Sequence, residues 1–311
     1  MKRALLFPGQ GSQSIGMGKD LHDHYLEAKE VFQEVDDVLS RSLSKLIFSG
    51  DIEELTKTSN AQPAIMATSI AVLRVLQKQS GKSASDLCVF TAGHSLGEYS
   101  AHVASETFSL STAAKLLDIR GKSMQEAAEK NESTMVALIG AKIDDAQKMI
   151  SDLQKVGICG IANDNGAEQV VISGETKVME EALKIYSNYG IKRAIKLNVS
   201  GAFHSALMLP AQEKMKEALD SADIKTPKCN LVSNVDVAVV RSDAEVRDTL
   251  TRQVTGSVRW RETMDFLNQH GIQEYVEVGP GKVLSTIAKR MQADAKSSSL
   301  CTLNDIEIFL S

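Results

Sequence analysis

The stretch Thr91-Ala-Gly-His-Ser-Leu-Gly-Glu98 limits what this chain can fold into more than any other. An apolar run, Leu87-Cys-Val-Phe90, leads into it, and a run of helical character, Tyr99 to Val103, leads out. Strand, tight Gly-x-Ser-x-Gly turn and helix is the layout of a nucleophile elbow. Gly93 and Gly97 let the chain turn sharply with helix and strand closely packed. The Ser95 hydroxyl then projects, and the next backbone N–H points the same way. The pattern predicts an acyl-transfer nucleophile with half an oxyanion hole. The plainer alternative is a glycine-bounded turn with an ordinary serine.

Strands alternate with helices on both sides of the elbow, as in an α/β domain with a mainly parallel sheet. Ala4 to Phe7 reads as a buried strand running into the glycine-rich turn Pro8-Gly-Gln-Gly-Ser-Gln13. That turn lacks the P-loop and dinucleotide glycine patterns, so backbone N–H groups offered to an oxyanion are the alternative to phosphate binding. Apolar spacing predicts one amphipathic helix from about Gly18 to Leu39. A buried helix opens at Gln62-Pro63 with proline in its first turn, and another runs from about Ser111 to Lys130. Between Thr134 and Leu197 the order becomes βαββαβ, a ferredoxin-like arrangement, with Asn163-Asp-Asn-Gly166 as a turn. The expected organisation is an α/β-hydrolase-like large domain (1–130 and 199–311) interrupted by a small domain (131–198). Beyond the small domain, helices are expected over Ala206–Ser221, Asp243–Gln253, Trp260–Gln269 and Val283–Met291, with strands at Asn230–Ser233 and Glu274–Val278.

Composition removes several classes of function. The net charge of −5 is dispersed, without the basic run that nucleic acid would need. The apolar run before Pro8 is too short for a secretory signal, and no run approaches a membrane span, so a cytoplasmic protein is expected. The four cysteines are far apart, and Cys88, Cys159 and Cys301 lie in or beside apolar stretches, which reads as buried reduced thiols. No ligand spacing implies a metal.

A serine hydroxyl needs a base, and histidine is the usual one. His22 and His24 fall on polar early turns of a helix and are expected to face solvent. His94 adjoins the nucleophile and points elsewhere, His102 on the elbow helix reads as structural, and His270 sits at a helix end where the last carbonyls attract it. His204 lies in a small-residue loop, Ser200-Gly-Ala-Phe-His-Ser205, the kind of segment on which catalytic groups concentrate. Arg120 stands in a largely apolar helix. It could present its planar fork to a carboxylate, or lie at the surface paired with Asp118 or Glu126.

Taken together, Pro8-Gly-Gln-Gly-Ser-Gln13, Gly93-His-Ser-Leu-Gly-Glu98, Ile119-Arg-Gly121 and Gly201-Ala-Phe-His-Ser205 resemble the malonyl-CoA:acyl-carrier-protein transacylases of type II fatty-acid synthesis, and the likeness covers essentially the whole chain. The resemblance implies that Ser95 is the acylated nucleophile and His204 its base. It implies an oxyanion hole from the N–H groups of Gln10 and Leu96, and a carbonyl at Gln253 that orients the histidine. Arg120 would grip the free malonyl carboxylate, Met124 would line the pocket, and Phe203 matches the pattern associated with malonyl over methylmalonyl. The implied partners are malonyl-CoA and an acidic acyl carrier protein, with no cofactor and no metal. A basic patch, Lys289 and Arg290 with Lys192, Arg193 and Lys196 as further candidates, would serve as docking surface. Oligomeric state is left open, with a monomer as the default.

Two other readings compete. An α/β-hydrolase esterase or thioesterase would share the elbow and run Ser, Asp or Glu, then His, with His270 in the last slot. A non-catalytic scaffold that binds a carrier protein would need none of Ser95, His204, Arg120 or Gln10.

Overall fold

The computed structural model describes residues 1–311. Ten strands form two sheets. Six belong to the larger: β1 (Arg3–Phe7), β2 (Phe90–Gly93), β7 (Asn230–Val232), β8 (Val239–Val240), β9 (Glu274–Val278) and β10 (Lys296–Leu300), in the order β10-β9-β1-β2-β7-β8. Every pairing in it is parallel except β7 with β8. Side chains alternate faces along a strand, so β1 feeds two cores at once. Leu5 and Phe7 enter the principal apolar cluster, which includes the helix Thr58–Ser80. Ala4 and Leu6 join Trp260, Met264 and Leu284 on the other face. A sheet covered on both faces is what the unbroken apolar run Ala4–Phe7 requires.

The other four strands, β3 (Ser133–Ile139), β4 (Cys159–Gly166), β5 (Gln169–Glu175) and β6 (Arg193–Lys196), make an antiparallel sheet in the order β4-β5-β3-β6. Helices Ile143–Leu153 and Thr176–Ile185 cover one of its faces through Met149, Ile150, Val178 and Met179. The opposite face, carrying Met135, Ala137 and Val171, turns toward the larger sheet.

Several local expectations are corrected. The first amphipathic stretch is two helices, Lys19–His24 and Leu26–Leu39, because Tyr25 is extended (φ −126°, ψ 127°). Pro63 lies inside the helix Thr58–Ser80, not at its start. Its missing N–H frees the Ser59 carbonyl, which instead accepts a hydrogen bond from Arg41 Nη2 at 3.0 Å. Asn163-Asp-Asn-Gly166 is the end of β4, with register irregularities, and the reversal falls on Ala167 and Glu168, both left-handed (φ 48° and 58°). Beyond a local bond from Gly166 N–H to Asp164 Oδ1 at 3.4 Å, Asp164 reaches the elements outside the small sheet: its N–H donates to Val258 O at 3.0 Å, and Arg261 Nε donates to its Oδ2 at 2.8 Å. A helix had been expected from Ala206; residues Ala206–Met208 form a 3-10 turn and the α-helix is Leu209–Ser221. The two-residue strand β8 and the serine-rich edge strand β10 carry too little apolar periodicity to be read from sequence, and a further helix, Leu303–Leu310, opens on a capping box between Thr302 and Asp305. Cys229 is buried along with Cys88 and Cys159, whereas Cys301 is only half-buried. His22 is also half-buried, its ring 4.9 Å from that of Phe48. No helix is long and apolar enough to cross a membrane.

Candidate active site

The carboxyl ends of β1, β2 and β7 lie side by side, the place where open α/β sheets hold ligands. From them leave the Pro8–Gln13 loop, the elbow and the Ser233–Val237 turn. Three glycines let the first two meet. A Cβ on Gly93 would lie 1.9 Å from Gly97 O, one on Gly97 2.2 Å from Phe7 O, and one on Gly9 2.7 Å from His94 O. Only glycine fits at these contacts. Ser95 itself is held at φ 53°, in the left-handed region that costs a non-glycine residue roughly 1–3 kcal/mol. Asn234 maintains that strain: its Oδ1 accepts from Ser95 N–H at 2.8 Å and its Nδ2 donates to Gly93 O at 2.7 Å.

His204 also sits at positive φ (56°), in a loop tied to the small sheet by Ser173 Oγ, which donates to Phe203 O at 2.7 Å. Its Nε2 is 2.8 Å from Ser95 Oγ. Its Nδ1 faces two main-chain acceptors, Gln253 O at 2.9 Å and Gly256 O at 3.0 Å. With Nδ1–H donating to carbonyls, Nε2 carries the lone pair that faces the serine hydroxyl. Burial, reinforced by the Arg120 charge, lowers the His204 pKa to about 3, so the ring is neutral and ready to accept a proton at neutral pH.

Arg120 is fully buried, not a surface residue. Asp118 pairs with Arg41 and Lys122, and Glu126 pairs with Lys214. Arg120 Nη1 donates to Gln62 Oε1 (2.7 Å), while Nη2 donates to Gln253 Oε1 (2.9 Å) and to Ser95 Oγ (3.1 Å). Its guanidinium stands 5.7 Å from the centre of the Tyr99 ring, and its Nε has no partner. Gln10, Ser95, Arg120, Met124, Phe203 and His204 all line one cavity of about 280 Å³. Neither the Gln10 nor the Leu96 N–H donates to any acceptor in the protein. Gln10 is held by Thr58, whose hydroxyl donates to Gln10 Oε1 at 3.0 Å. A second cavity of about 210 Å³ shares Gln10 and His94 with the first and continues to Val283 and Ile287. Lys289 and Arg290 are exposed at the far end of that helix and make no ion pair. They do not line either cavity.

Three participants escaped the sequence reading: Asn234, Glu98 and the side chain of Gln253. Gln253 Nε2 donates to Ser95 O at 2.9 Å and to Glu98 Oε2 at 2.7 Å. Glu98 is buried, and desolvation raises its pKa to about 7. The elbow motif gave Glu98 a place but no role, and Asn234 lies 139 residues from its partner.

The remaining histidines serve elsewhere. His94 Nε2 meets Asn165 Oδ1 at 2.8 Å, which ties the elbow to β4. His270 Nδ1 meets Phe266 O at 2.8 Å, and its ring packs on Phe90 at the opposite end of β2 from Ser95, so it cannot serve as base. His102 is fully buried with neither ring nitrogen partnered, and burial alone lowers its pKa to about 3. An unfolded chain takes up that proton near pH 6.5 and the folded one only near 3, so stability drains as pH falls between those values. His102→Leu is therefore expected to raise stability at pH 5 more than at pH 8, by about 1–3 kcal/mol or more, read from urea midpoints at both pH values.

A strained serine bonded to a neutral histidine, beside a buried cation lining the same cavity, defines an enzyme that moves acyl groups through serine. The family model for the acyl transferase domain matches residues 4–304. The chain is 44% identical over 309 residues to the malonyl CoA-acyl carrier protein transacylase of Bacillus subtilis, covering 99% of this chain and 96% of the relative. It is 38% identical over 299 residues to the Escherichia coli protein of that name, covering 96% and 95%. Among solved structures, the acyl-carrier-protein-S-malonyltransferase of Bartonella henselae superposes with TM-score 0.96 at 47% identity, covering 100% of this chain and 98% of the other. A malonyl-transacylase in complex with its type II PKS acyl-carrier protein gives 0.94 at 36%, covering 99% and 98%. The chain belongs to the malonyl CoA-acyl carrier protein transacylase family.

Proposed function

We propose that this enzyme moves the malonyl group from malonyl-CoA to the phosphopantetheine thiol of an acyl carrier protein, through a malonyl ester on Ser95. The observation that carries this reading is Arg120, a buried guanidinium 3.1 Å from the nucleophile oxygen, in a site with no carboxylate directly bonded to it. A malonyl carboxylate is the charge that such a group would receive.

In the first half-reaction His204 Nε2 takes the Ser95 proton as Oγ attacks the thioester carbonyl. The oxyanion forms against the N–H groups of Gln10 and Leu96, where each donor contributes roughly 2.7–4 kcal/mol. Collapse expels the CoA thiolate, which leaves with the proton from His204. In the second half the carrier thiol gives its proton to His204 and attacks the ester carbonyl; collapse breaks the ester bond, and the leaving Ser95 Oγ takes the proton back from His204. The exchange balances with no cofactor or metal. The carbonyls of Gln253 and Gly256 hold the imidazole and favour its protonated form in place of a carboxylate. Met124 and Phe203 shape the acyl pocket. Three buried free thiols suit the cytoplasm. The exposed Lys289 and Arg290 would attract the acidic carrier protein toward the helix whose start borders the cleft.

Intact mass after mixing with malonyl-CoA tests the reading. Wild type is expected to gain a malonyl adduct that a carrier thiol discharges, and Ser95→Ala none. CoA release without an adduct would point to hydrolysis, and neither signal would point to a scaffold.

A further inference from the structure

Glu98 is a buried titratable side chain that the reaction, as written above, does not use. It stands in the first turn of the helix Gly97–Ala104, is 1% exposed, and forms no ion pair. Its Oε2 accepts from Gln253 Nε2 at 2.7 Å and from Asn234 N–H at 3.2 Å, while Oε1 has no partner. A carboxylate in such a place has a reason beyond packing, since unpaired buried charge is costly.

The reason lies in the Gln253 amide. Its two ends are alike in shape and opposite in polarity, so the partners alone decide which end points where. On one side stand two acceptors, Ser95 O at 2.9 Å and Glu98 Oε2. On the other stands Arg120 Nη2, which can only donate, at 2.9 Å. A flipped amide would set N–H against N–H at Arg120 and oxygen against oxygen at Glu98. We infer that Glu98 is a positioning residue which locks the Gln253 amide and, through it, the Arg120 guanidinium beside Ser95. The interposed amide also separates the two charges. A carboxylate bonded directly to Arg120 would occupy its fork; one amide away, Glu98 balances the charge and leaves the guanidinium available to substrate.

The inference rests on the malonyl-transfer reading, so its test is a selectivity measurement on enzyme whose wild type forms the malonyl adduct. Glu98→Gln keeps the shape but can donate as well as accept, which weakens the lock to what Ser95 O and Arg120 alone supply. It is expected to raise KM for malonyl-CoA at least roughly tenfold, with kcat reduced less, and to lower the malonyl-over-acetyl preference by a similar factor. Glu98→Asp, which retains an acceptor one methylene further back, is expected to recover part of the loss. In a Gln253→Met background the Glu98→Gln change is expected to have no further effect on selectivity, because the connection is already cut. Unchanged KM and selectivity in folded Glu98→Gln would overturn the inference. So would an equal loss of malonyl and acetyl transfer, or the same selectivity loss in both backgrounds. If Glu98→Gln does not fold, as judged by thermal melting, Glu98→Asp is run through the same Gln253→Met cycle with the same criteria. A wild type that takes no malonyl would instead overturn the functional reading, and this inference with it.

Discussion

His204→Ala is expected to lower kcat for malonyl transfer by roughly 10⁴- to 10⁶-fold, with much less change in malonyl-CoA binding. The ring supplies the acceptor for the Ser95 proton at 2.8 Å, and no other histidine can replace it. His94 is engaged with Asn165 and His270 lies at the far end of β2. Burst-phase formation of the acyl-enzyme, followed by quenched-flow mass measurement, separates the loss of chemistry from a loss of binding. A variant that still acylates within tenfold of wild type would exclude His204 as the base. Because His204 stays neutral down to about pH 3, its titration should give no acid limb between pH 5 and 7 in kcat/KM.

Arg120→Ala is expected to abolish the preference for malonyl over acetyl, at about 3–5 kcal/mol, or roughly a hundredfold or more in the ratio of kcat/KM values. Two effects combine. A malonyl carboxylate would enter the cavity without its counter-charge, and the oxygens of Gln62 and Gln253 would lose their donor. Acetyl transfer needs no counter-charge and should fall much less. Competition between malonyl-CoA and acetyl-CoA for one enzyme sample measures the ratio directly. Retention of the wild-type ratio would remove the carboxylate-gripping role from Arg120. Arg120→Lys should also fall short of wild type, because an ammonium cannot bond to Gln62, Gln253 and Ser95 together in the planar arrangement seen here.

Local sequence carried the elements whose signals are short-range. The elbow was legible because its glycines answer a steric demand within a few residues: a Cβ at Gly93 would be 1.9 Å from Gly97 O. The βαββαβ order was legible because its strands and helices alternate with distinct periods, and the observed order β4-β5-β3-β6 is the ferredoxin-like one. Misreadings arose where a local rule was outweighed by a distant partner. Pro63 reads as a helix start, yet Arg41 satisfies the carbonyl it frees, so the helix runs through it. Asn163-Asp-Asn-Gly166 has turn composition, but it pairs with Gln169–Val171 of β5 and is held further by Val258 and Arg261, so it stays a strand.

The sequence by itself determined that Ser95 sits on a tight turn between a strand and a helix, since that turn follows from glycine spacing within a few residues. It also bounded the candidates for a base to six histidines and placed Arg120 on an apolar helix. Only the tertiary structure decided which histidine reaches the serine, 109 residues away in sequence, and that Arg120 faces the same oxygen. It alone disclosed Asn234 and the Glu98–Gln253 connection. Hydrogen bonds across such separations depend on strand order and on the packing of the small sheet over the large one. Neither leaves a periodic trace in the residues that make the contact.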